Sequence, residues 1–232
     1  PAETRYDLGA AEVVVSLDSD FLSSGPDSVR NAKAFSARRR LAGGSKEMSR
    51  FYAVEVSPTP TGTLADHRLP LRASALPSFA RALGAELGLA GFARPEGLEE
   101  SAVKLAAAAA KDLRAAAGRS VVVVGDFAPA EVHAAAHALN EALGNVGKTV
   151  FVTDPVEAAP VDQLASLREF VEDVRKGEVQ LLLILGGNPV YDAPSDLAFG
   201  ETLLKAGLRV HLTGYPDETS RYCQWAVPMA HY

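Results

Sequence analysis

Cysteine is nearly absent from this 232-residue chain: Cys223 stands alone. A single thiol excludes an internal disulfide, a cysteine-ligated iron–sulfur cluster and a multi-cysteine zinc site within the chain. Basic runs are missing too. Nothing beyond Arg38-Arg39-Arg40 concentrates positive charge, and the formal net charge is −6. Nucleic-acid binding asks for a basic face, so that class is disfavoured. The triple arginine reads as a solvated helix end before Gly43-Gly44. No apolar run reaches the roughly 18 residues that cross a bilayer, and no signal peptide is visible. The chain begins at Pro1 and stops at Tyr232 just after a strand-like segment, as an excised piece would, so a missing leader says little about compartment.

Against these absences stands a hydrophobic fraction of 47%, enough for a sizeable core in one large domain or two small lobes. The most informative stretch is Val179–Asp196. An apolar run through Leu185 ends abruptly in Gly186-Gly187-Asn188-Pro189, which predicts a fully buried strand entering a tight loop, with a second turn at Pro194. Gly186 and Gly187 can take positive φ and let a ligand approach the backbone. Asn188 precedes a proline, which favours an extended backbone with its amide free to reach outward. In an open α/β sheet, a loop at the carboxyl end of a strand is where ligands bind. Ligand loop and structural turn are evenly matched readings of these residues.

A related unit stands earlier. Val13–Leu17 is an apolar run followed by Asp18-Ser19-Asp20, and Pro26 lies nine residues after Leu17 as Pro194 lies nine after Leu185. Pro58, Thr61 and Pro70 repeat the spacing of Pro216, Thr219 and Pro228. We therefore expect two related α/β halves. Their loops differ chemically. The first offers Asp18 and Asp20 where the second offers glycine and asparagine, and carboxylates repel a pyrophosphate and supply no donors.

The pattern predicts strands at Glu12–Leu17, Arg50–Val56, Ser120–Val124, Thr149–Thr153, the run ending at Leu185, Leu208–Leu212 and Trp225–Met229, with a short extended piece at Arg68–Arg72. Helices are predicted at Asp27–Arg40, Leu76–Leu87, Leu98–Ala117, Pro129–Leu143, Pro160–Lys176 and around Leu197–Ala206. This alternation calls for an α/β fold with mostly parallel sheets covered on both faces. We expect a first lobe at residues 1–95, a linker helix at 96–119, and a second lobe at 120–232 carrying the Gly-Gly-Asn-Pro loop.

Other motifs carry less. Gly144-Asn145-Val146-Gly147-Lys148-Thr149 looks like the tail of a phosphate-binding loop, but Ala142 stands where glycine is needed and a helix precedes it where a strand should. Helix end plus turn is the better reading. His133 and His137 are four apart on one helix face, a metal-holding spacing, yet position 134 is alanine and no third ligand is evident. Two histidines on the outer face of an alanine-rich helix account for them. Asp217-Glu218 and the Asp18/Asp20 pair could act as acid and base; more often such residues cap turns and helices. No nucleophile elbow is present, and no catalytic residue is assigned.

Leu183-Ile184-Leu185-Gly186-Gly187-Asn188-Pro189-Val190, then Asp217-Glu218-Thr219, then Trp225-Ala226-Val227-Pro228 resemble the molybdopterin-dinucleotide oxidoreductase superfamily. Its pattern there is a strand, G-x-N-P, then E-T, then A-D-x-x-L-P. Ala65-Asp66-His67-Arg68-Leu69-Pro70 is similar to the matching A-D-x-x-L-P of the other cofactor lobe, and residues 139–150 to a further stretch. More narrowly, Val15–Leu22, Met48–Glu55, Pro58–Gly62 and Ala65–Arg72 resemble the molybdopterin-oxidoreductase-like region of the iron–sulfur subunit of alternative complex III.

The resemblance implies two related α/β/α lobes of the molybdopterin-oxidoreductase type. It implies an excised region of a respiratory electron-transfer subunit in a quinol-oxidising complex, non-catalytic and without molybdenum cofactor. Iron–sulfur clusters are then expected only in the rest of the full-length chain. Partners would be that iron–sulfur region and other subunits of the membrane complex, on the periplasmic side of the bacterial inner membrane, peripherally. The alternative is a domain that binds molybdopterin guanine dinucleotide through Gly186, Gly187, Asn188, Pro189, Asp217, Glu218 and Thr219. A stand-alone small-molecule binding domain is a third, weaker reading. The departures from the superfamily pattern favour the scaffold: Asp18–Phe21 fills the first G-x-N-P position, Ala73-Ser74-Ala75-Leu76 stands where P-G-T-D is expected, and the second A-D falls on Trp225-Ala226.

Overall fold

The computed structural model describes residues 3–41 and 47–230. The turn expected at Gly43-Gly44 lies outside the described residues. The chain forms two compact units that divide between Asp154 and Pro155.

The first unit contains β1 (Glu3–Tyr6), β2 (Val13–Leu17), α1 (Ser28–Arg38), β3 (Arg50–Glu55), β4 (His67–Pro70), α2 (Leu76–Glu86), α3 (Glu100–Ala115), β5 (Ser120–Val124), α4 (Ala130–Ala142) and β6 (Val150–Thr153). Its main sheet is four-stranded, parallel throughout, with order β4-β3-β2-β5. Every residue of β2 and of the edge strand β5 is buried, as parallel strands covered on both faces should be. On one face Val13, Val15, Leu17, Tyr52 and Val54 meet α2, α3 and α4 through Leu76, Phe79, Leu83, Leu113 and Leu139. The small Ala102, Ala106, Ala109 and Ala110 are the buried side of α3 and let that helix approach closely. On the other face Phe21, Phe35 and Phe51 pack edge-on, with ring centroids 5.4–6.3 Å apart. Such pairs add about 0.5–1.5 kcal/mol each beyond burial. Within α1, Phe35 and Asn31 are the buried residues, whereas Val29 is 83% exposed.

The division expected between residues 119 and 120 differs from the sheet. β5 pairs with β2 in register, from Val13 opposite Ser120 to Leu17 opposite Val124. Its outer edge is closed by side chains. Asn140 accepts from the Val122 N–H at 3.0 Å and donates to the Val122 carbonyl at 2.8 Å, standing in for a further strand. Asn145 donates to Asn140 at 3.0 Å, and the Thr149 hydroxyl donates to the Ser120 carbonyl at 2.5 Å. Asn140, Asn145 and Thr149 are buried, so residues 144–149 form a structural turn, with Gly144 and Gly147 left-handed at φ 65° and 77°. β6, expected in the second lobe, pairs antiparallel with β1 in the first unit, a strand the sequence did not announce.

The second unit contains α5 (Gln163–Arg175), β7 (Leu181–Leu185), α6 (Pro189–Asp192), α7 (Phe199–Leu203), β8 (Leu208–Thr213) and β9 (Trp225–Pro228). α5 starts later than its periodicity predicts because the Asp162 carboxylate caps it, accepting from the Ala165 N–H at 2.7 Å. The sheet is three-stranded and parallel, in order β7-β8-β9. Val171, Ile184, Leu197, Phe199 and Leu203 form the core. Helices cover only that face. Leu181, Leu183 and Leu185 are 61%, 55% and 68% exposed, so β7 is not the fully buried strand its composition predicts. The helix expected around 197–206 is cut to α7 by a left-handed Ala198 at φ 44°.

Candidate functional site

The turns that follow β2 and β7 are the candidate sites, and they are copies of one another. Each strand ends opposite its neighbour, Leu17 beside Val54 and Leu185 beside Leu212. The next residue is left-handed in both, Asp18 at φ 54° and Gly186 at φ 68°, and Gly187 follows at 70°. Asp18 N–H donates to the Val54 carbonyl at 2.7 Å; Gly186 N–H donates to the Leu212 carbonyl at 2.8 Å.

The clamp beyond is also repeated. Thr61 N–H donates to Asp20 Oδ1 at 3.1 Å, and Thr219 N–H to Asn188 Oδ1 at 3.2 Å. The Thr61 hydroxyl accepts from the Leu22 N–H at 3.1 Å, and the Thr219 hydroxyl from the Val190 N–H at 3.0 Å. Gly62 N–H donates to the Thr59 hydroxyl at 2.9 Å, as Ser220 N–H does to Asp217 Oδ1 at 2.9 Å. Phe51 N–H donates to Asp66 Oδ2 at 2.8 Å, as Arg209 N–H does to Gln224 Oε1 at 2.8 Å. β3 and β4 pair with the same offset as β8 and β9. This register corrects the motif assignment: Cys223-Gln224, not Trp225-Ala226, stands where Ala65-Asp66 stands.

The geometry overturns one expectation about Asn188. Its amide does not reach outward. Its oxygen also accepts from the Thr219 hydroxyl at 2.7 Å, and its nitrogen donates to Glu218 Oε2 at 2.7 Å. That hydrogen bond holds the Glu218 carboxyl below its ordinary range. Pro189 opens α6, and Thr219 is buried. The sequence-predicted residues 186–189 and 217–219 are therefore brought together, bonded to each other through Asn188.

His211 on β8 was not singled out by sequence. It is fully buried, with Nε2 3.1 Å from the Gly187 carbonyl and Nδ1 3.0 Å from the Ser220 hydroxyl. A carbonyl can only accept, so Nε2 carries a proton. Asp217 Oδ1 lies 3.5 Å from Nδ1. The ring ties the Gly-Gly turn to the 3₁₀ turn Thr219–Tyr222. The one available signal was a histidine inside an apolar strand.

In the first unit β2 has β3 on one side and β5 on the other, so the crevice past their carboxyl ends is the topological switch point. Two loop backbones meet there. Gly125, after β5, is packed so closely that a Cβ would sit 1.8 Å from the Asp18 carbonyl oxygen. A cleft of about 560 Å³ remains, lined by Asp18, Asp20, Asp27 and Asp126 with no lysine or arginine among its lining residues. Asp18 Oδ1 accepts from the Val56 N–H at 2.8 Å. Burial, with the Asp126 charge adding to it, pushes the Tyr6 phenol in the same cleft up to about 12.

His133 and His137 line a smaller cleft of about 310 Å³ with Asp126 and Asn140. Among the described residues no group of three or more histidines, cysteines or carboxylates is placed to hold a metal ion.

The chain is similar to a menaquinone reductase subunit. The relative is the menaquinone reductase, molybdopterin-binding-like subunit, of Nitratidesulfovibrio vulgaris, 27% identical over an alignment 259 residues long that takes in 97% of this chain and 37% of that protein. The chain thus spans little more than a third of the relative's length. The match supports a molybdopterin-oxidoreductase-like relationship. No protein-family model matches the chain. No helix among the described residues is long and apolar enough to cross a membrane.

Proposed function

We propose that the chain is the molybdopterin-oxidoreductase-like region of an electron-transfer subunit in a quinone-linked respiratory complex, where it serves as a scaffold without a molybdenum cofactor. The relative's name supports the quinone-linked setting. The sequence resemblance narrows this to a quinol-oxidising complex of the alternative complex III kind, peripheral to the membrane on its periplasmic side, with iron–sulfur clusters carried by the rest of the subunit. Its docking partners would be that region and the other subunits.

One observation carries the scaffold reading. The switch-point crevice is narrowed by contact between Gly125 and Asp18, and what remains carries Asp18, Asp20, Asp27 and Asp126 among serine, threonine and asparagine side chains, with no lysine or arginine. A dinucleotide cofactor brings an anionic pyrophosphate, which needs N–H donors or cations. An excess of carboxylates with no cation opposes that group. In the second unit Asn188 and Thr219 are committed to holding the turn. The second reading, a bound molybdopterin guanine dinucleotide, draws on a different observation: a Cβ placed on Gly186 or Gly187 would meet nothing within 4 Å, so that backbone is open to approach.

Metal and pterin analysis of the whole protein, purified from its native membrane, tests the proposal. The expected result is neither molybdenum nor tungsten nor extractable pterin in proportion to protein. Stoichiometric metal with pterin would establish the second reading instead.

A further inference from the structure

The uncovered face of the second unit's sheet is wholly apolar where it is most exposed. Leu181, Leu183 and Leu185 share it with Leu208, Trp225 and Val227, exposed by 42%, 63% and 39% respectively. The exposed parts of these six residues together amount to roughly 600–700 Å², somewhat under the ~800 Å² that one partner brings to an interface of standard size. A parallel sheet ordinarily has both faces covered.

The first copy of the repeat shows what such a face meets. The matched registers put Leu181, Leu183 and Leu185 where Val13, Val15 and Leu17 stand. Those three are 7%, 0% and 0% exposed, in one core with Leu76, Phe79 and Leu83 of α2. α2 follows β4 after a short 3₁₀ turn at Ala73–Ala75. The chain leaves the two sheets alike: Leu71 N–H donates to the Glu55 carbonyl at 3.0 Å, and Met229 N–H to the Thr213 carbonyl at 2.9 Å.

We propose that in the whole polypeptide an amphipathic helix entering after β9, the counterpart of α2, closes this face. It would lay an apolar stripe across Leu183 and Trp225 and turn a polar side outward. The proposal concerns how the second unit completes its core and does not depend on whether a pterin is bound.

A photo-crosslinking residue at position 183 of the whole polypeptide tests it. Crosslinks are expected within the same polypeptide, to the segment that follows β9. Crosslinks to another subunit, or to the same sheet of a second copy, would overturn it. Leu183→Lys gives an independent readout. It should lower the thermal midpoint of the whole polypeptide by several degrees and leave that of the 232-residue chain unchanged. Equal effects on both, or a dimer of the 232-residue chain that Leu183→Lys dissolves, would contradict the helix.

Discussion

Replacing Thr219 with valine keeps the β-branched shape and deletes one hydroxyl. That hydroxyl accepts from the Val190 N–H at 3.0 Å and donates to Asn188 Oδ1 at 2.7 Å, at a residue with 0% exposure. Leaving the part-buried Val190 N–H without a partner costs about 1–2 kcal/mol, and the lost bond to Asn188 about 1 kcal/mol more. A destabilisation of about 2–3 kcal/mol follows for the second unit, a large fraction of the margin of a small domain. Urea unfolding followed through Trp225, the sole tryptophan, reads this unit directly. The midpoint should fall with the slope unchanged. Asn188→Ala in the same background should couple to Thr219→Val by about 1 kcal/mol, because the two side chains form one clamp. A loss under about 0.5 kcal/mol would mean that the hydroxyl does not hold the turn and is free for a ligand, which would refute the reasoning.

Gly125→Ala should destabilise the first unit by about 1–3 kcal/mol or more, since backbone rather than a flexible side chain blocks the new methyl; thermal denaturation checks it, and an unchanged midpoint would show that the crevice is open. Gly62→Ala would place a Cβ 2.2 Å from the buried Glu55 carboxylate, which pairs with Arg68, so a similar loss and a broken ion pair are expected in unfolding and crystallographic measurements. The Arg39 guanidinium, bonded to Asp66 at 2.6 and 2.8 Å, holds that carboxyl below its ordinary range. Its contribution is therefore present above the unfolded carboxylate value of about 3.9 and lost as pH falls through the lower folded value. Asp66→Asn should flatten the acid limb of the first unit's stability against pH; an identical limb in the variant would contradict this.

The parallel α/β arrangement and the duplication were legible because apolar runs and the Pro-Thr-Pro spacing survive as strands, turns and pairing offsets. What escaped was what depends on residues far apart. β5 reads as a central strand anywhere; Val13–Leu17 supplies its partner, and the Asn140 side chain closes its edge. The run through Leu185 announces an affinity for cover, and an affinity is not the cover itself: helices reached only one face. Asn188 read as an outward-facing ligand donor because its acceptor role is filled by Thr219, 31 residues on. The turn after α4 was read correctly because a helix before it, instead of a strand, is a local fact. The clamp itself was half-visible, in the shared placement of Thr61 and Thr219, with no sign of which side chains they would hold.

The central claim is that the strand-end turns commit their polar groups to the fold. The most direct measurement titrates the isotopically labelled chain with guanosine diphosphate and follows the amides of Gly125, Gly186 and Gly187. No saturable shift is expected at up to about 1 mM ligand. Saturable shifts at those amides would contradict the claim.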